Sequence, residues 1–197
     1  MKKNKFIYIF IILILFSFSF GCGEKTGKNN DVDKEKSENR SELLNYVEAL
    51  KLFEEGVEAE VLDINNGNTF KIRRVIGGFN TIADIETMSL EDTEIMLEAT
   101  DGKFSIIRRP VVVTIGDIKL PASIAPFEHS GSENHKFSEI IDNRSGATGT
   151  GINLDSIRGN GLIGVVDIYF YNSLIPGLNR IDERHQEMVL KAYDYLY

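Results

Sequence analysis

GVVDIYF, residues 164–170, is the core of the most apolar strand-like stretch downstream of the N-terminal segment, and it contains one carboxylate, Asp167. Alternate side chains of a strand share a face. Val166, Ile168 and Phe170 then form one wholly apolar face, and Val165, Asp167 and Tyr169 form the other. An ionised carboxylate buried without a partner is very costly. The second face is therefore expected to meet water, a polar partner or a site. Arg108, Arg109, Arg144 and Arg158 are candidate partners for Asp167.

Working outward, residues 57–64 (VEAEVLDI) and 69–76 (TFKIRRVI) alternate in polarity around an Asn-Gly turn, a hairpin signal. Residues 110–124 read as a second hairpin around Gly116-Asp117. A helix is expected over Ser89–Thr100, with Ser89 and Asp92 as a weak capping box. Another is expected from Ile181 to the end, capped by Asp182, with Val189, Ala192, Tyr193 and Leu196 on one side. Ala125–Gly161, rich in Gly, Ser and Asn, reads as a long irregular region. Upstream, residues 42–56 read as an amphipathic helix presenting Leu43, Val47, Leu50 and Phe53, with Ser41 to cap its start and Gly56 its end. The expected fold is α+β. It is a single β-rich domain over residues 57–197 with hairpins, one mid-chain helix, a long Gly-rich loop and a C-terminal helix, preceded by the amphipathic helix.

The N-terminus predicts location. Lys2, Lys3 and Lys5 precede the uncharged run Phe6–Phe20. As a helix that run spans roughly 22 Å, short of the roughly 30 Å hydrocarbon core. Basic start, short apolar core and small Gly21 make residues 1–21 a signal peptide. SFGC, Ser19–Cys22, resembles the bacterial lipobox, with Ser19 where Leu is usual. The resemblance implies a diacylglyceryl group on Cys22, the chain's one cysteine, and a lipid-anchored protein at the outer face of the cytoplasmic membrane or the cell surface. The alternative is a retained helical anchor, which leaves the rest of the chain outside the cytoplasm as well. Gly23–Ser41 has one apolar side chain and reads as a disordered tether within residues 22–41. Losing Lys2, Lys3 and Lys5 with the signal peptide takes the net charge from −8 to −11. That balance argues against nucleic acid as a partner and against electrostatic binding to anionic lipid.

From about Phe70 onward, the stretches IADIETMSLEDTEIM, IIRRPVVVTIGDIKLPASIAPFEH, NRSGATGTGINLDSIRGNG, GVVDIYFYNS and DERHQEMVLKAY occur in unbroken order. Together they resemble an uncharacterised extracellular domain of cell-wall-associated proteins of Gram-positive bacteria. The family pattern runs approximately NHADVE, SMNGMPHG, GHFDIHFLNSRTHG and D..HQ, which implies a polar site, either metal-binding or acid–base. The family histidines correspond here to Ile82, Val165, Tyr169 and Pro176, while His129, His185, Asp84, Glu86, Asp167 and Asp182 remain. The resemblance implies catalytic candidates His129, Asp167 and Asp84, and binding candidates Glu86, Tyr169, Asn172, Ser173 and His185. Loss of four imidazoles predicts no zinc and no other cofactor, unless carboxylates complete a site around the remaining histidines. A distant likeness to L,D-transpeptidases lacks the strand cysteine that would serve as nucleophile. GATGTG, 146–151, lacks the spacing and flanking residues of a phosphate loop. His185 reads as a capping or packing residue and His135 as an exposed loop residue. The expected function is a non-catalytic, degenerate cell-wall-associated domain of an envelope lipoprotein, binding peptidoglycan or another envelope protein. The alternative is a peptidoglycan-acting hydrolase or transpeptidase-like enzyme, with His129 as base and Asp167 or Asp84 orienting it.

Overall fold

A computed structural model describes residues 43–197. The signal segment, Cys22, the tether and Ser41 lie outside the described residues. The elements are α1 (Tyr46–Leu52), β1 (Glu58–Asp63), β2 (Thr69–Arg74), β3 (Ala83–Thr87), α2 (Leu90–Glu98), β4 (Arg109–Ile115), β5 (Ile118–Ser130), β6 (Ile140–Ile141), β7 (Gly151–Ile152), β8 (Gly164–Tyr169) and α3 (Glu183–Leu196). The α+β expectation holds at that level. Its architecture is more specific: six strands close into an antiparallel barrel in the order β1-β2-β3-β8-β5-β4, and β6 and β7 pair separately. Closure satisfies both edges of the sheet.

The two expected hairpins are β1–β2 and β4–β5, and Ser89 and Asp182 cap α2 and α3. Three expectations are corrected. The first helix starts at Tyr46, behind an Asn45–Glu48 capping box. Ala49, Leu50 and Phe53 are buried, whereas Val47 is 45% exposed and Leu43 packs elsewhere, with Val189 and Tyr193. The strand β5 continues through Ala125–Ser130, inside the region expected to be irregular. The strand β3 was not anticipated. ADIET has a carboxylate at every second position, and its five residues are all buried, so it shows no wet face.

Burial explains this. In β1 and β2 exposed and buried residues alternate, one face inside and one in water. In β3 and β8 both faces are covered. The inner faces meet in one apolar cluster that includes Val61, Ile72, Ile85, Val113, Ile124, Val166, Ile168 and Phe170. Both short helices add to it, α1 through Leu50 and Phe53 and α2 through Met96 and Leu97. Outside the barrel, α3 lies across β4 and β5. The loop after β7 packs Leu154 against Val75 and Val165 on the outer face of β8. Asp167 lies between these two covers.

Candidate functional site

Strand register assembles the site. Asp84 of β3 is the direct cross-strand partner of Asp167 of β8, so two carboxylates stand side by side on the outer face. On the other flank of β8, Asp167 pairs with Ala125 and Val165 with His129. Between those pairs β5 advances four residues while β8 advances two, and the strand bulges. The bulge returns His129 to the outer face, where its Nε2 lies 2.8 Å from Asp167 Oδ1. Its Nδ1 lies 2.9 Å from Ser130 Oγ, which fixes the ring from behind. Donor atoms of Asp84, His129 and Asp167 all lie within 4.8 Å of one another.

Two glycines let the backbone close over this cluster. The Gly77–Phe79 turn covers Asp84, whose Oδ2 accepts the Phe79 N–H. A Cβ on Gly78 would collide with the Asp84 side chain. Gly146 has φ +66°, and a Cβ there would come within 2.6 Å of the His129 Cβ. Gly146 of GATGTG thus serves close approach to the histidine as well as loop conformation.

The electrostatics follow from burial and like charge. Burial, with Asp167 alongside, pushes the Asp84 carboxyl up to about 7. Its Oδ1 is buried without a hydrogen-bond partner. For His129, burial favours the neutral ring, but the hydrogen bond and charge of Asp167, reinforced by Asp84, raise its pKa overall. Perturbed pKa values at neighbouring groups, here Asp84 and His129, are a common feature of functional sites.

Asp167 also lines a cleft of about 370 Å³ with Ile106, Arg108, Phe127, Tyr169, Arg180 and His185. His185 stacks on Tyr169 with ring centroids 3.7 Å apart, and its Nδ1 lies 2.9 Å from Ser123 Oγ. Burial holds its pKa down at about 4, so the ring is neutral at pH 7. On the other side of the cluster a second cavity, about 400 Å³, is lined by Ser130, Gly78, Phe79 and Arg144.

The structure brings together His129, Asp167 and Asp84, and places Tyr169 and His185 beside them. It does not bring in Glu86 or Ser173. Glu86 is fully buried and accepts bonds from the Ser156 and Ile157 amides, anchoring the loop. Ser173 is fully buried and accepts the Phe170 N–H in the turn after β8. Asn172 sits in that turn at φ +58°, with its N–H on Gln186. Among the described residues, no arginine partners Asp167. Arg108 pairs with Asp182, Arg109 with Asp63 and Arg158 with Asp155, while Arg144 donates to carbonyls. Residues of the cleft that sequence reading missed include Ile106, Phe127, Ile175 and Arg180. Only the fold places them beside Asp167. No protein-family model, curated protein or solved structure matches this chain.

Proposed function

We propose that this chain is an envelope lipoprotein, anchored by acyl chains on Cys22, whose barrel binds cell-wall material in the Asp167 cleft. The observation that carries the reading is the composition of that cleft. Ile106 and Phe127 stand exposed on its wall, Arg180 stands at its rim, and Asp167 and the Tyr169–His185 stack line it. Arg180 has no paired acid among the described residues. An apolar wall with a few converging polar groups is how small-ligand sites are built. A guanidinium free to pair with a carboxylate suits the acidic stem peptides of peptidoglycan.

A second reading has its own support. His129 lies within hydrogen-bond reach of Asp167, with Asp84 alongside, the pairing an acid–base enzyme needs. In that reading His129 is the base and the carboxylates orient it, acting on the same polymer. One experiment separates the two. Residues 41–197 are incubated with purified cell walls, and pellet and supernatant are both analysed. Retention in the pellet without soluble fragments supports a binding module. Time-dependent release of fragments that stops in His129→Gln supports the enzyme. Neither retention nor release would reject both.

A further inference from the structure

We propose that Asp84, His129 and Asp167 form a binding site for one divalent transition-metal ion, of which zinc is the test case. The inference concerns the same outer face of β8 but does not depend on the cell-wall reading.

The donor set is one imidazole nitrogen and two carboxylates, drawn from three different strands. Three protein donors with a fourth position left open is the pattern of zinc sites that also bind water or a ligand. Tetrahedral coordination at about 2.0–2.2 Å sets donors roughly 3.3–3.5 Å apart. His129 Nε2 and Asp167 Oδ1 start at 2.8 Å, and the whole set lies within 4.8 Å. Shifts of roughly 1 Å bring the donors to that spacing.

The orphaned oxygen of Asp84 is the independent observation. Asp84 is 1% exposed, its Oδ2 is taken by the Phe79 amide, and among the described residues no donor reaches its Oδ1, whose carboxyl neighbour is Asp167. Buried polar atoms are almost always satisfied. Two carboxylates paired directly across a sheet repel. A dication between them answers both problems. The surroundings are also those of a metal site. Ser130 Oγ holds the far nitrogen of His129, which fixes the ring with Nε2 forward. The Asp167 side chain is 23% exposed in the cleft, which gives an ion a way in. Arg144, whose positive charge is felt at His129, is turned to the carbonyls of Thr148 and Ile152. The expectation of no metal counted imidazoles. Here two carboxylates stand in for the missing ones, and affinity for such mixed N/O donors is higher for zinc than for manganese.

The test is calorimetric titration of Zn²⁺ into the full chain, purified in detergent without a His tag and stripped with chelator. Variants Asp84→Asn, Asp167→Asn and His135→Gln are run in parallel, with folding checked by circular dichroism. His135, exposed beside Glu139, is the control for adventitious surface binding. The expected result is one equivalent bound at micromolar Kd or tighter by the wild type and by His135→Gln. Folded Asp84→Asn and Asp167→Asn should each bind roughly 100-fold more weakly or worse. Wild-type Kd weaker than about 1 mM would overturn the proposal and leave the two carboxylates sharing a proton. Equal binding by the wild type and both Asp variants would overturn it as well, and so would loss of binding in His135→Gln.

Discussion

Asp167 is tolerated in an apolar strand because the barrel gives it an outer face, a histidine partner at 2.8 Å and an opening to a cleft. Asp84 has less: one amide for one oxygen and nothing for the other. Its folded pKa of about 7 compares with about 3.9 for an unfolded aspartate. Between those values the folded chain keeps a proton that the unfolded chain has released. Stability contributed by this group is therefore present below about pH 4 and is lost as pH rises to about 7. The raised pKa of His129 acts with the same sign. His185 acts in the opposite sense: with its folded value at about 4, stability is lost as pH falls below about 6.5. Asp84→Asn cannot ionise, so comparison with the wild type reports the ionisation of Asp84 together with its coupling to His129. In metal-free buffer, the variant should gain about 2–4 kcal/mol relative to the wild type between pH 4 and pH 8. Urea titrations across that range check it. A pH-independent difference would mean that Asp84 ionises normally.

The elements around the site divide into those legible in the sequence and those that are not. The hairpins were legible because turn residues and period-two alternation sit side by side in residues 57–76. So were the caps of α2 and α3, where Ser89 and Asp182 accept amides of their own first turns. The strand β3 was not, because both its faces are buried and its carboxylates, Asp84 and Glu86, point outward under covering loops. The β5 bulge was not, because nothing in Ala125–His129 announces two extra residues against β8. Barrel closure depends on β3 and the placement of His129 on that bulge, so the grouping of His129 with two aspartates across three strands was hidden with them. Only the candidates themselves were visible, as chemistry-bearing residues in the stretches of family resemblance. Two variants probe these elements. Gly146→Ala forces an L-residue to φ +66° and drives its Cβ into His129, so it should cost at least about 1 kcal/mol and disturb the His129 ring. Thermal melts and the imidazole NMR shifts of His129 report both effects. Asp182→Ala removes the α3 cap and the partner of Arg108, and should lower stability by about 1–2 kcal/mol. A change under about 0.3 kcal/mol by chemical denaturation would show that α3 docks without its cap.

For the molecule as a whole, the proposal joins an acyl anchor at Cys22 to a barrel with a cleft of mixed character beside Asp167. Cys22→Ala should release the chain from membranes or leave it unprocessed at larger size. Membrane fractionation with mass measurement checks this, and an unchanged mass in the membrane fraction would favour a helical anchor. The barrel's part of the proposal rests on the cleft, where Arg180 is exposed and has no paired acid among the described residues, so that changing it does not threaten the fold. The deciding measurement is quantitative co-sedimentation of residues 41–197 with purified peptidoglycan, comparing the wild type with Arg180→Glu. Saturable binding by the wild type, weakened at least about 10-fold in the variant, is the predicted result. A wild-type protein that stays in the supernatant at every peptidoglycan concentration would contradict the proposal.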